Sequence, residues 1–279
     1  MSNTMRRRPP RRPRLTGQSF NRMLPNLMTL MGLCIGLSAV RLAMDGRFGS
    51  AVIAIAVSGV IDGLDGRLAR LLKATSRFGA EFDSLADFLC FGVAPGFVIY
   101  MWSLQDWGAI GFLPTLMYVS AMALRLARFN AALETAPPAA FAYNFFTGVP
   151  APAGAILALF PLFVGLEADK AHLIWLREAV AFPLFSGGIL VAVALLCVST
   201  LPVWSFKNFK VPTAGVLPLL LGVVTFVAIL IADPYAAGAL VGIIYVAMLP
   251  FSRRSYKRLA AEAKERRHHE DIKSTELAL

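Results

Sequence analysis

The sequence predicts an all-α, polytopic transmembrane helical bundle of about eight helices with both termini cytoplasmic, and three observations carry that expectation. Only 16% of the 279 residues are charged and 57% are hydrophobic, whereas a soluble globular domain carries about 25% charged residues. Apolar runs of about 20 residues recur along the chain, each long enough to cross a hydrocarbon core about 30 Å thick. Lys and Arg gather in the two tails and in alternate short loops, so the formal net charge of +10 suits anionic lipid headgroups and not nucleic acid. Together these exclude a soluble enzyme.

Apolar runs set against charged or Pro/Gly-rich breaks place spans at 24–43, 49–71, 82–101, 107–126, 150–166, 179–201, 214–231 and 235–251. Pro234 makes the last pair a tight helical hairpin. Orientation follows from positive loops staying inside. The N-terminal arm is basic, and alternation then puts Arg67, Arg70, Lys73 and Arg77 inside, followed by Arg125 and Arg128, Lys207 and Lys210, and the tail. The opposite loops carry a mixed set with no positive excess, including Asp45, Arg47, Glu167, Lys170 and Asp233. An even helix count agrees with two cytoplasmic termini. The organisation is therefore a basic cytoplasmic arm (1–20), a transmembrane domain (21–251) and a hydrophilic cytoplasmic tail (252–279), the tail being a surface helix or an unfolded arm. The protein is expected in the cytoplasmic (inner) membrane as a multi-pass chain, with its site facing the cytoplasm.

Cys34, Cys90 and Cys197 stand alone in apolar segments, without the paired spacing of a zinc site or a disulfide framework, and read as packing residues. The three histidines, His172, His268 and His269, fall in a loop and in the tail. No cleaved signal peptide is expected, because prolines interrupt the basic start and no small-residue cleavage pattern follows the first apolar run.

The informative stretch begins at Asp62 and ends at Asp87. At about 100° per residue, Asp62, Asp65, Gly66, Ala69 and Arg70 share one face of the second helix, and Gly79, Asp83 and Asp87 share one face of the third. The connection is short, so the two faces converge near the cytoplasmic membrane surface and four carboxylates meet. Such a cluster in a region of low dielectric needs cations. Oxygen ligands with no nearby Cys or His point to Mg²⁺ or Mn²⁺, two ions bridged by shared carboxylates, an arrangement suited to phosphate-ester displacement. Gly66 and Gly79 let a nucleotide approach the backbone, and Arg70 can fork two phosphate oxygens. Acidic helix ends facing water would explain one or two of these aspartates, and four on matched faces poorly.

These residues fill the pattern D-x-x-D-G-x-x-A-R-x8-G-x-x-x-D-x-x-x-D at Asp62, Asp65, Gly66, Ala69, Arg70, Gly79, Asp83 and Asp87, and in that they resemble the CDP-alcohol phosphatidyltransferases. The resemblance implies a membrane-embedded helical bundle, commonly a homodimer, in which an alcohol attacks the diacylglycerol-bearing phosphate of a CDP-lipid and CMP leaves. It implies that Asp62, Asp65, Asp83 and Asp87 hold the metals and that Asp87 is also the general base. Gly66, Arg70, Ser76 and Gly79 would meet CDP-diacylglycerol, as would Asn26 and Thr29 in Pro25-Asn26-x-x-Thr29, a stretch that also makes an ordinary helix start.

The pattern is silent on the acceptor. The stretches 123–130, with Leu124-Arg125-Leu126-Ala127-Arg128-Phe129-Asn130, and 146–153, together with 83–95, are similar to those of the membrane-integral phosphatidylserine synthases. That resemblance implies L-serine as acceptor, whose carboxylate Arg125 or Arg128 could bind bidentately; both arginines read equally well as positive-inside anchors. The alternatives are the same chemistry with glycerol 3-phosphate, inositol phosphate or choline, or a secondary transporter with intramembrane acids. The last three helices read as generic apolar sequence.

Overall fold

The computed structural model describes residues 20–133, 145–204 and 213–277. Two long helices open the chain, α1 (Phe20–Met44) and α2 (Phe48–Leu71), folded back on each other through a turn at 45–47 in which Gly46 takes a positive φ of 73°. Helix α3 (Arg77–Asp87) starts where Ser76, in extended conformation, accepts a hydrogen bond on Oγ from the Gly79 N–H at 3.0 Å. That contact satisfies one of the donors left open at a helix start.

The chain does not stop at Asp87. It continues through a π-helical stretch (Phe88–Val93), α4 (Ala94–Ile99), a second π stretch (Tyr100–Leu104) and a 3-10 turn (Gln105–Trp107). Pro95 explains the first irregularity: it has no N–H, so the Phe91 carbonyl loses its α-helical partner. The ladder widens there, and the hydroxyl of Tyr118 donates to the Phe91 oxygen at 2.6 Å. Within lipid such a replacement is required, because water cannot reach a freed carbonyl. Gly108, at φ 54°, reverses the chain into α5 (Gly108–Leu133), which packs back along this irregular helix.

Two bent pairs follow, α6 (Ala151–Ala158) with α7 (Phe160–Lys170), bent by 42°, and α8 (Ile174–Ala181) with α9 (Pro183–Val198), bent by 53°. Pro161 and Pro183 stand in the first turns after the bends, where a missing N–H costs nothing. Two short antiparallel strands, β1 (Phe145–Thr147) and β2 (Pro202–Trp204), pair with Phe145 opposite Trp204 and tie the entry of α6 to the exit of α9. Gly148 sits beside them at φ 77° and donates its N–H to the Leu201 carbonyl at 2.8 Å.

The last hairpin is α10 (Thr213–Ala232) and α11 (Pro234–Leu277). Asp233 caps α11, accepting from the N–H groups of Tyr235 and Ala236 at 3.2 and 3.3 Å and from Lys170 Nζ at 2.8 Å. The apolar core lies where α1, α2, the irregular third helix, α5, α6, α7 and α9 meet, and holds Ile55, Phe91, Val98, Tyr118, Met122 and Leu162.

The all-α transmembrane class is as expected. Among the described residues, Met23–Met44, Phe48–Leu71, Arg77–Ala132 and Pro234–Leu259 are long and apolar enough to cross a membrane, and each bent pair adds one candidate. The 56 residues of Arg77–Ala132 exceed the roughly 20 that one crossing needs, and the turn at Gly108 divides them where two spans were expected. Two details differ from expectation: residues 174–181 form a separate short helix bent away from α9, and Cys34 is exposed on α1 while Cys90 and Cys197 are buried. Of the two readings of the tail, the helix is the one seen, continuing α11. Lys207 and Lys210 lie outside the described residues.

Replacing Tyr118 by Phe keeps the ring and removes the donor from the Phe91 carbonyl. Stability should fall by about 1 kcal/mol, read as a lower thermal midpoint of the purified protein in detergent; an unchanged midpoint would show that the π stretch satisfies this carbonyl unaided.

Candidate active site

The site is built from three consecutive elements: the first turns of α1, the last turns of α2 and the whole of α3. The one-turn spacing of Asp62 with Asp65, and of Gly79 with Asp83 and Asp87, sets both acidic faces toward α1. Carboxylate oxygens of Asp62, Asp65 and Asp83 lie within 4.8 Å of one another. Asp65 is buried and held in place, its Oδ2 accepting from Thr29 Oγ1 at 2.6 Å. Thr29 also back-bonds to the Pro25 carbonyl at 3.1 Å. Asp87 stands one turn beyond Asp83, against Asp62 and outside that close trio, with Oδ1 buried and without a hydrogen-bond partner.

Three carboxylates at this separation cannot all stay ionised at a membrane edge without positive charge among them. Their oxygens form a hard donor set, and Thr29 pre-orients one of them. The residues present therefore fit a divalent cation, with Asp62, Asp65 and Asp83 as the close donors.

A cavity of about 180 Å³ opens beside the trio, lined by Asn26, Thr29, Asp65, Gly66, Ser76 and Asp83 among others. Gly79 also lines it, with Asn26 and Ser76 packed against the place where a Cβ would stand, while nothing approaches Gly66 within 4 Å. A ligand can thus rest on the Gly66 backbone. Arg70 is exposed next to the cavity, its Nε donating to the Gly66 carbonyl at 3.1 Å. Asn26 is shared with a second, apolar groove of about 550 Å³ lined by Met23, Leu27, Leu30, Phe78 and Phe82. The sequence reading missed this groove. Its signal was present in Leu27 with Leu30, and in Phe78 with Phe82, at helical spacing on the two elements that also carry the polar cavity; the two rings stack at 6.0 Å.

The two arginines of the expected acceptor pocket part company. Arg125 points inward, where its Nε donates to the Val149 carbonyl at 2.6 Å and its charge acts on Asp87. Arg128 reaches the C-terminal end of α9 and donates to the carbonyls of Val198, Cys197 and Ser199 at 2.8, 3.3 and 3.4 Å. It caps a helix end. Asn130 and Ser84 bond across α5 and α3, Asn130 Nδ2 donating to Ser84 Oγ at 3.1 Å, and so tie the arginine-bearing helix to the acidic one.

The sequence pattern of the CDP-alcohol phosphatidyltransferase family matches residues 22–199, and a second pattern of the same name, CDP-alcohol phosphatidyltransferase 2, matches 215–250. The chain is 35% identical over 238 residues to a CDP-diacylglycerol–serine O-phosphatidyltransferase of Mycobacterium tuberculosis, covering 85% of this chain and 80% of that protein. A Helicobacter pylori protein of the same name is 39% identical over 188 residues, 67% of this chain and 74% of the relative. An archaetidylserine synthase of Methanothermobacter thermautotrophicus is 33% identical over 138 residues, 48% of this chain and 54% of the relative.

The geometry makes a direct prediction for the cation. Asp83→Asn should weaken Mn²⁺ binding by tenfold or more, because a charged donor is lost from a set of three, and Thr29→Val should weaken it less, since only the orientation of Asp65 is released. Both are read by titrating the purified protein with Mn²⁺ and following free ion by electron paramagnetic resonance. Wild-type affinity in Asp83→Asn would remove the trio as the ion site.

Proposed function

The chain belongs to the CDP-alcohol phosphatidyltransferase family, and from that premise we propose that it is a CDP-diacylglycerol–serine O-phosphatidyltransferase, moving the phosphatidyl group from CDP-diacylglycerol to L-serine with release of CMP. The observation that carries the proposal is one juxtaposition: Asp87 lies within the electrostatic reach both of the carboxylate cluster, through Asp62 and Asp83, and of the inward-pointing Arg125.

On this reading the polar cavity takes the cytidine diphosphate, with the pyrophosphate over the bare Gly66 backbone, Arg70 on its outer side, and Asn26, Thr29, Ser76 and Gly79 around it. The apolar groove that shares Asn26 accepts the acyl chains. Mg²⁺ or Mn²⁺, two ions in this reading, held by Asp62, Asp65 and Asp83 with Asp87 adjoining, would supply the positive charge that balances carboxylates and phosphates. The remaining chemistry falls to the chain. Asp87 accepts the proton of the serine hydroxyl through its unpartnered oxygen. The serine oxygen forms a bond to the diacylglycerol-bearing phosphorus as the bond to the CMP oxygen breaks, and CMP departs with the electron pair. Arg125 holds the serine carboxylate by its guanidinium, which the Val149 carbonyl fixes in place.

Arg67, Arg70, Lys73 and Arg77 around the turn between α2 and α3, Arg125 and Arg128 toward the end of α5, Lys207 and Lys210 after α9, and the basic tail support a site facing the cytoplasm, in the inner membrane. A homodimer belongs to the same reading by family likeness.

The test is CMP release from CDP-diacylglycerol by purified protein offered L-serine, glycerol 3-phosphate, inositol phosphate or choline. Metal-dependent turnover with serine alone is expected; turnover with another alcohol and none with serine would overturn the proposal. Within it, Arg125→Lys keeps the charge but loses the planar fork, so serine KM should rise about tenfold while the CDP-diacylglycerol KM stays nearly fixed. Arg128→Lys should leave serine KM alone and lower the thermal midpoint, because its three carbonyl partners cap α9. The reverse assignment would show that Arg128 is the carboxylate contact.

A further inference from the structure

Among the described residues, three buried side-chain oxygens have no hydrogen-bond partner: Asp87 Oδ1, Thr115 Oγ1 and the Tyr245 hydroxyl. A buried polar group left unpaired costs as much as a lost hydrogen bond, so each calls for an explanation. Two of the three, Asp87 Oδ1 and the Tyr245 hydroxyl, lie within the electrostatic neighbourhood of one cation, Arg125, which is itself drawn inward and anchored to the Val149 carbonyl. Tyr245 comes from α11, in the part of the chain whose sequence reads as generic apolar span, and its ring packs on the common core from a helix that lies against α6 and α7. Nothing in the fold requires a hydroxyl there: a Phe ring would make the same apolar contacts without an orphaned donor.

An anchored guanidinium with an unpartnered phenolic hydroxyl and an unpartnered carboxylate oxygen in its neighbourhood makes a complementary set. It fits a small molecule that has an anionic group at one end and an ionisable hydroxyl at the other. We propose that Tyr245 is an acceptor-binding residue, its hydroxyl donating to the carboxylate of the amino-acid acceptor beside Arg125 while Asp87 faces the acceptor hydroxyl. This rests on the assignment of serine as acceptor and extends it, because it makes the last helix a wall of the pocket. Specificity for a carboxylate would then come from two donors on different helices. A site built to hydrogen-bond a group rejects an analogue that lacks it, since its own donors would stay buried and unpaired.

The experiment compares wild type, Tyr245→Phe, Arg125→Lys and the double variant, each with L-serine and with ethanolamine, which keeps the hydroxyl and the amine but lacks the carboxylate. In Tyr245→Phe the serine KM should rise about tenfold with kcat and the CDP-diacylglycerol KM little changed. The preference for serine over ethanolamine should fall by the same factor. The double variant should lose less than the product of the two single losses, because both donors act on one carboxylate. A merely structural tyrosine would affect both alcohols alike. Equal losses with serine and ethanolamine, or an unchanged serine KM in Tyr245→Phe, would overturn the proposal for Tyr245 and leave the serine assignment standing. A wild-type protein that uses another alcohol and not serine would overturn both.

Discussion

Three carboxylate side chains whose oxygens lie within 4.8 Å of one another, at the end of a helix pair buried in a bilayer, set the terms for everything around them. In water such a group would relax by moving apart or by taking protons. Here neither acid-bearing helix is free to move: α2 and α3 both pack against α1, whose Thr29 holds Asp65. The fold keeps the acids together, so positive charge must come from outside the chain. The phosphates of a nucleotide lipid carry the opposite demand, since they too need cations when taken out of water. One cation site answers both, which is why the polar cavity and the acidic trio share Thr29, Asp65 and Asp83 as walls.

The second constraint is that no backbone group may be left open inside the membrane. Helix breaks and chain turns are needed to aim the site, and several are closed by a named side chain. Tyr118 closes the Pro95 irregularity, Arg128 closes the end of α9, Arg125 closes the turn at Val149, and Ser252 on α11 donates to the Pro202 carbonyl at 2.8 Å. These bonds join α5 to the irregular third helix, to the entry of α6 and to the end of α9, and α11 to β2. Satisfying the breaks and assembling the acceptor side are accordingly one problem. Arg125 shows this best, since the bond that satisfies Val149 is also what aims its guanidinium.

The acidic half of the site was legible in sequence because its geometry is local. Asp62, Asp65, Gly66, Gly79, Asp83 and Asp87 fall within two helices joined by a short turn, and helical periodicity alone puts them on facing surfaces. The spans were legible too, since hydropathy reports length directly, although α8 was not, because a short amphipathic helix gives the same mixed signal as a loop; the tail was legible only as a choice between a helix and a partly disordered arm, because a charged arm gives the same polar signal as a charged helix. The roles of Arg125 and Arg128 could not be separated by pattern. Both sit three residues apart at a basic helix end, and only the position of α9 shows that one of them is spent on carbonyls.

Tyr245 marks the limit of that reading. Its ring is ordinary in an apolar helix, and nothing within α11 singles out its hydroxyl. The property that sets it apart, a buried donor without a partner beside an anchored guanidinium, exists only once α5, α6 and α11 have packed. The donor half of the site is written into one continuous stretch and can be carried unchanged from one sequence to another. The acceptor half is assembled from elements far apart in the chain, where single substitutions can alter which alcohol fits without disturbing the aspartate spacing. A spacing pattern that encodes the shared chemistry must therefore be silent on the alcohol.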